Sequence, residues 1–167
     1  RISPGFSPGT LSFTTGLTLA SGGQLDFEVQ SAAGAAGVGY DLVSVSGALL
    51  DITATSGSPF TIKVISLNAG GTAGAVSDFS SGSGYSWLLA TSTVGINGFA
   101  ANKFALDTSL FANPLGGGTF SLVQGVSGGN AALYLNFTPV PEPSTYALLA
   151  LGLGATALGA LRRRRAR

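Results

Sequence analysis

Asp26 and Glu28 are the first side chains in this sequence that could do chemistry together. They sit in Leu25-Asp26-Phe27-Glu28-Val29, where apolar and acidic residues alternate, so both carboxylates fall on one face of a strand. Paired carboxylates can serve acid/base catalysis or bind calcium; the plainer reading is a solvated strand face. Lys63 and Lys103 could each activate a serine, but no spacing sets a particular serine beside either one. With no His and no Cys, a Ser-His-Asp triad, a thiol nucleophile and a zinc site of the usual ligands are excluded. No phosphate-binding loop, dinucleotide fingerprint or calcium-binding glycine-rich nonapeptide is present. No catalytic, metal-ligating or cofactor-binding residue is therefore assigned, and no cofactor is expected. Trp87, Tyr40, Tyr85 and Tyr134 could offer rings to a polysaccharide, although isolated aromatics in β proteins more often pack.

The elements that carry these residues read as short strands. Period-two runs occur at Leu11–Phe13, Leu17–Leu19, Leu25–Val29, Tyr40–Val45, Leu49–Thr53, Phe60–Ile65, Tyr85–Ala90, Phe104–Asp107, Thr119–Val123 and Ala132–Phe137. No sustained helical period appears in the body; Asn102–Phe111 has room for a helical turn or two. Pro-Gly pairs at Pro4-Gly5 and Pro8-Gly9 suit type II turns, and Asn97-Gly98 and Gly116-Gly117-Gly118 mark further turns.

Composition agrees with a β-rich exported chain. Only 9% of the 167 residues are charged, against roughly 25% in an average soluble domain, so Ser, Thr, Asn and Gly must supply the polar surface. Glycine, at 26 of 167, is about twice its usual share. Residues 1–139 hold Arg1, Lys63 and Lys103 against Asp26, Glu28, Asp41, Asp51, Asp78 and Asp107, an acidic balance that argues against nucleic acid as a partner. No Met occurs, even at position 1, which leads us to expect that the natural protein extends upstream of Arg1.

The last 28 residues differ in kind. Val140-Pro141-Glu142-Pro143-Ser144 comes first; its two prolines favour an extended, stiff peptide that presents one carboxylate. An uncharged run from Tyr146 to Leu161 follows, then Arg162, Arg163, Arg164 and Arg165. As a helix, about 18 residues from Ser144 would reach roughly 27 Å, just short of a hydrocarbon core of about 30 Å. Ser144 suits the helix cap, Tyr146 an interfacial position, and the arginines the cytoplasmic side. A plain membrane anchor or a buried core helix would also fit the hydropathy alone.

The order of these parts resembles the PEP-CTERM sorting signal of exopolysaccharide-producing Gram-negative bacteria. The resemblance spans residues 140–167; Tyr146 stands where many members have tryptophan. It implies that Val140, Pro141, Glu142, Pro143 and Ser144 form the sorting motif, residues 145–161 a transmembrane helix and residues 162–167 a basic stop. It also implies an exosortase, an integral-membrane processing enzyme, as partner, with the chain as its substrate. The inner membrane would be a transient anchor. In a bacterial protein the glycosylation sequon Asn136-Phe137-Thr138 is then a chance match.

Residues 3–52 carry a second likeness. Ser-Pro-Gly turns, Gly16-Leu17-Thr18-Leu19, and the strands Gly22–Val29 and Tyr40–Ile52 resemble autotransporter-associated β-repeats. That likeness implies a right-handed parallel β-solenoid, or β-helix. The expected architecture is thus all-β: residues 1–139 as the C-terminal part of a solenoid, then one transmembrane helix, with a β-sandwich as the alternative for the body. The expected protein is a structural or adhesin-like component of the cell surface or extracellular matrix, with exopolysaccharide as a candidate partner and no catalysis of its own. The alternative is a secreted polysaccharide-active β-helix enzyme whose site lies mostly upstream.

Overall fold

The computed structural model describes residues 1–5 and 7–141. Its strands are β1 (Thr10–Phe13), β2 (Leu17–Leu19), β3 (Gln24–Val29), β4 (Leu42–Val45), β5 (Leu49–Ile52), β6 (Phe60–Ser66), β7 (Tyr85–Ser92), β8 (Gly95–Asn97), β9 (Phe104–Leu110), β10 (Thr119–Ser127) and β11 (Asn130–Thr138). They form three sheets, ordered β1-β4-β7-β11-β10, β2-β5-β8 and β3-β6-β9. Each of β1 to β6 pairs in parallel with the strand three places later. The last two do not. Gly128 and Gly129 both take positive φ, 56° and 84°, and reverse the chain so that β10 and β11 run antiparallel. β11 then joins β7 antiparallel, with a bulge at Leu133/Tyr134.

This overturns the expected right-handed parallel β-solenoid. A solenoid hands every strand to a parallel neighbour in the next rung, whereas here the largest sheet is mixed and closes on an antiparallel hairpin. The sheets pack their apolar faces on one core, and the β-sandwich alternative fits that arrangement better. Among the described residues no helix is long and apolar enough to cross a membrane. The expected span at 145–161 lies outside them, as do Glu142, Pro143, Ser144, Tyr146, Leu161 and the arginines from Arg162 to Arg165.

Alternation makes the core. Leu25, Phe27 and Val29 of β3 and Phe60, Ile62 and Val64 of β6 all point inward and are buried. Trp87, Leu89, Leu133, Leu135 and Phe137 meet them from the mixed sheet. The expected helical turns within 102–111 reduce to one 3-10 turn, Ala101–Lys103, because Phe104–Leu110 extends against β6. Gly5 and Gly9 do not take the left-handed φ that type II turns require, so those two turns are of another kind.

Candidate functional site

Two places carry functional groups: the end of β11, where the tail begins, and a covered cluster of carboxylates beside β3.

β11 is an interior strand, with β7 on one side and β10 on the other. Its last residues set where the tail leaves. Phe137 is buried, Thr138 is exposed, and Pro139 is half-buried. Val140 and Pro141, the first two residues of the expected sorting motif, are exposed. Two glycines frame this exit. A Cβ on Gly117 would lie 3.5 Å from Val140 Cγ2, and one on Gly84 would lie 3.7 Å from the Pro139 ring. Gly118 beside them leaves no such room: its Cβ would come 2.9 Å from the Thr138 carbonyl oxygen and collide with the Phe137 ring. Small residues thus leave room for the chain where it reaches solvent.

The carboxylate cluster sits on the other side of the molecule's sequence. Asp26 and Glu28 share the outer face of β3, as their spacing requires, but that face is not simply solvated. Ile2 runs along β3, its N–H donating to the Gln24 carbonyl at 2.7 Å and its carbonyl accepting from Asp26 N–H at 2.9 Å. This brings Arg1 over Asp26, whose Oδ2 accepts from Arg1 Nε at 2.7 Å and pairs with the rest of the guanidinium. Gln24 Nε2 donates to the other oxygen. Asp26 is consequently only 2% exposed.

Asp41 completes the cluster, and it is fully buried. Its Oδ1 accepts from Gly9 N–H and its Oδ2 from Glu28 N–H, both at 2.9 Å. Burial pushes its pKa up to about 6; the two backbone N–H groups work against that, and the charge of Asp26 adds to it. Glu28 also rises to about 6, through burial first and then the charges of Asp41 and Asp26. Its Oε2 is covered and has no hydrogen-bond partner among the described residues. The chemistry available here is proton binding inside a structural joint. Asp41 bridges the entry to β1, strand β3 and the start of β4. The acid that opens an apolar run, in Tyr40-Asp41-Leu42-Val43, is the signal that could have marked it.

The remaining candidates have structural partners. Trp87 is 1% exposed and donates Nε1–H to the Ala32 carbonyl at 3.0 Å. It stacks on Tyr85 with ring centroids 5.4 Å apart, and Tyr85 hydroxyl accepts from Ser80 N–H at 2.8 Å. Tyr40 is buried against Phe27, and Tyr134 hydroxyl donates to the Val126 carbonyl at 2.9 Å. None of these four rings stands free as a sugar platform. Lys103 donates to the Gly98 carbonyl at 2.7 Å, and Lys63 lies 3.8 Å from Asp107 Oδ2. Asp78 joins two loops by accepting from Ser31 Oγ, Ala32 N–H and Ala33 N–H. Burial pushes its pKa up, but these bonds outweigh it and hold the pKa below the usual value.

Comparison with known proteins bears on the first place and not the second. No curated protein and no solved structure matches the chain. The likeness of residues 3–52 to autotransporter-associated β-repeats gains no support. Residues 139–165 match the family model of the PEP-CTERM protein-sorting motif. The tail that begins at the exposed end of β11 is a PEP-CTERM sorting signal, and it marks an exported protein sorted through an exosortase-type enzyme.

Proposed function

We propose that this chain is a structural or adhesin-like protein of the cell surface or extracellular matrix of a Gram-negative bacterium. In this reading the body, residues 1–139, is the cargo and residues 140–167 are its address. The uncharged run from Tyr146 to Leu161 and the arginines that follow it keep the protein at the inner membrane during export. The exosortase reads Val140-Pro141-Glu142-Pro143-Ser144, and the body goes on to the surface, where exopolysaccharide is its candidate partner. The observation that carries the reading is the exit of the tail: Val140 and Pro141 are exposed at the point where the sorting-motif match begins. A processing enzyme needs an extended peptide it can reach.

The body supports a non-catalytic role by how its acids are used. Asp41 commits both oxygens to backbone N–H groups, and Asp26 is held by Arg1 and Gln24. The competing reading, a polysaccharide-active enzyme, draws on the raised pKa values of Glu28 and Asp41, both about 6. Polysaccharide cleavage abolished by Asp26→Asn with Glu28→Gln would establish the enzyme.

The sorting role is tested in the source bacterium. Removing residues 141–167 is expected to leave the body folded but absent from the surface, either released or stranded in the periplasm. Intact mass of surface-located wild-type protein is expected to show loss of the arginine tail. A tailless protein that reaches the surface normally, or a surface protein with its arginines intact, overturns the reading.

A further inference from the structure

Among the described residues, β10 is the outer strand of the mixed sheet, and no strand pairs with its outer edge. It runs nine residues, Thr119–Ser127, reading TFSLVQGVS, with no charge and no proline. Other outer strands are blunted. β2 and β8 have three residues each and β1 has four; β9 carries Asp107, and Ile2 lies along β3. Long, uncharged, apolar edges are what soluble β proteins avoid, because a row of unpaired N–H and C=O groups takes another strand.

The hairpin register shows which groups face outward. Ser127 and Asn130 close a two-residue turn, so Ser127, Gly125, Val123, Ser121 and Thr119 direct their N–H and C=O groups to β11. Those of Phe120, Leu122, Gln124 and Val126 point away from the sheet, and the Val126 carbonyl, which accepts the Tyr134 hydroxyl at 2.9 Å, keeps a second lone pair for a partner strand. A second β10, running antiparallel about a two-fold axis at Val123, meets all four. Leu122 then faces Gln124 of the second copy, and Phe120 faces its Val126.

That second pairing is the informative one. Val126 is 68% exposed among the described residues. Phe120 forms one wall of an open groove of about 290 Å³ lined by Leu106, Thr108, Leu115, Gly118, Thr119 and Phe120. The symmetric register brings the uncovered valine of each copy to the open apolar groove of the other. Charge points to the same strand. Residues 1–139 carry three basic and six acidic side chains, none of them on β10, so copies meet there without setting acid against acid.

We propose that β10 is a self-association edge, through which two copies of this chain join antiparallel along Thr119–Ser127, with Val126 of each seated at the Phe120 groove of the other. The closed two-fold pairing uses up the edge, so it ends at two copies.

The absence of cysteine makes the test clean. Val123→Cys sets two sulfurs across the two-fold axis, at a non-hydrogen-bonded pair with Cα atoms about 4.5 Å apart, within disulfide range. The full chain, purified in detergent and mildly oxidised, is run on non-reducing gels. Disulfide-linked dimer is expected at about ten times the level given by Gly57→Cys, an exposed site away from β10. Adding Gln124→Pro removes only an outward N–H and is expected to cut the cross-link about ten-fold while Trp87 fluorescence still reports a folded core. Should that variant unfold, Val126→Lys replaces it with the same expectation. Cross-linking of Val123→Cys no better than Gly57→Cys overturns the proposal. So does stronger cross-linking by Ser121→Cys, or a cross-link that survives both edge variants.

Discussion

The buried carboxylate of Asp41 accepts the backbone N–H of Glu28 at 2.9 Å, while the Glu28 side chain brings a second acid towards the same covered space. One residue therefore holds the other in place by its backbone and opposes it by its charge.

This opposition sets a pH dependence. Both groups have folded-state pKa values near 6, above the ordinary 3.8 of Asp and 4.5 of Glu. The folded chain thus binds protons more tightly than the unfolded one, and stability rises as pH falls from about 7 towards 5. We expect a gain of about 1 kcal/mol over that range, allowing for solvent screening of the partly exposed Glu28. Glu28→Gln is expected to flatten the profile and stabilise the protein at pH 7.5. Urea melts at pH 5.0 and 7.5 check this; a wild type more stable at the higher pH contradicts it.

Asp41→Ala leaves the N–H groups of Gly9 and Glu28 without acceptors in a covered site. The expected loss is about 2–4 kcal/mol, since each unsatisfied buried donor costs roughly 1–3 kcal/mol. Amide exchange at Gly9 and Glu28 is expected to accelerate ahead of exchange in β7 and β11. Equal acceleration throughout would show a general loss of stability without a local joint.

The single tryptophan lies in the core, so its fluorescence reports folding directly. Trp87→Phe keeps most of the packing but leaves the Ala32 carbonyl unpaired. We expect it to cost about 1–3 kcal/mol, and Trp87→Ala about 3–5 kcal/mol. Guanidinium denaturation followed by circular dichroism separates the two.

Two neighbouring glycines should behave differently at the tail exit. Gly118→Ala drives a methyl against Phe137 and the Thr138 carbonyl and is expected to destabilise by about 1–3 kcal/mol. Gly84→Ala meets only ordinary contacts at 3.7 Å and is expected to cost less than about 1 kcal/mol. The amount of processed protein in the source bacterium is expected to fall for the first and to hold for the second.

The sequence discloses strands more readily than their neighbours. Alternation in Leu25–Val29, Phe60–Val64 and Leu133–Phe137 identifies inward faces, because burial of one side demands period two. It says nothing of which strand lies alongside, and a parallel arrangement and a hairpin share the same pattern. Gly128-Gly129 is the dipeptide that decides the matter, turning the chain back and making the large sheet mixed. β8 escapes because Gly95-Ile96-Asn97 offers a single apolar residue. Asp41 looks like any surface acid until Gly9 and Glu28, far apart in sequence, converge on it. The sorting tail lies at the opposite extreme. Its order of prolines, apolar run and arginines is a linear message, legible without a fold.

β11 passes between two neighbours before it becomes the tail. Traction applied through the tail during export therefore pulls a strand clamped on both flanks, and the ladders to β7 and β10 bear the load in shear, many bonds at once. A strand at the rim would peel away one bond at a time. The protein is gripped where it is mechanically hardest to unravel.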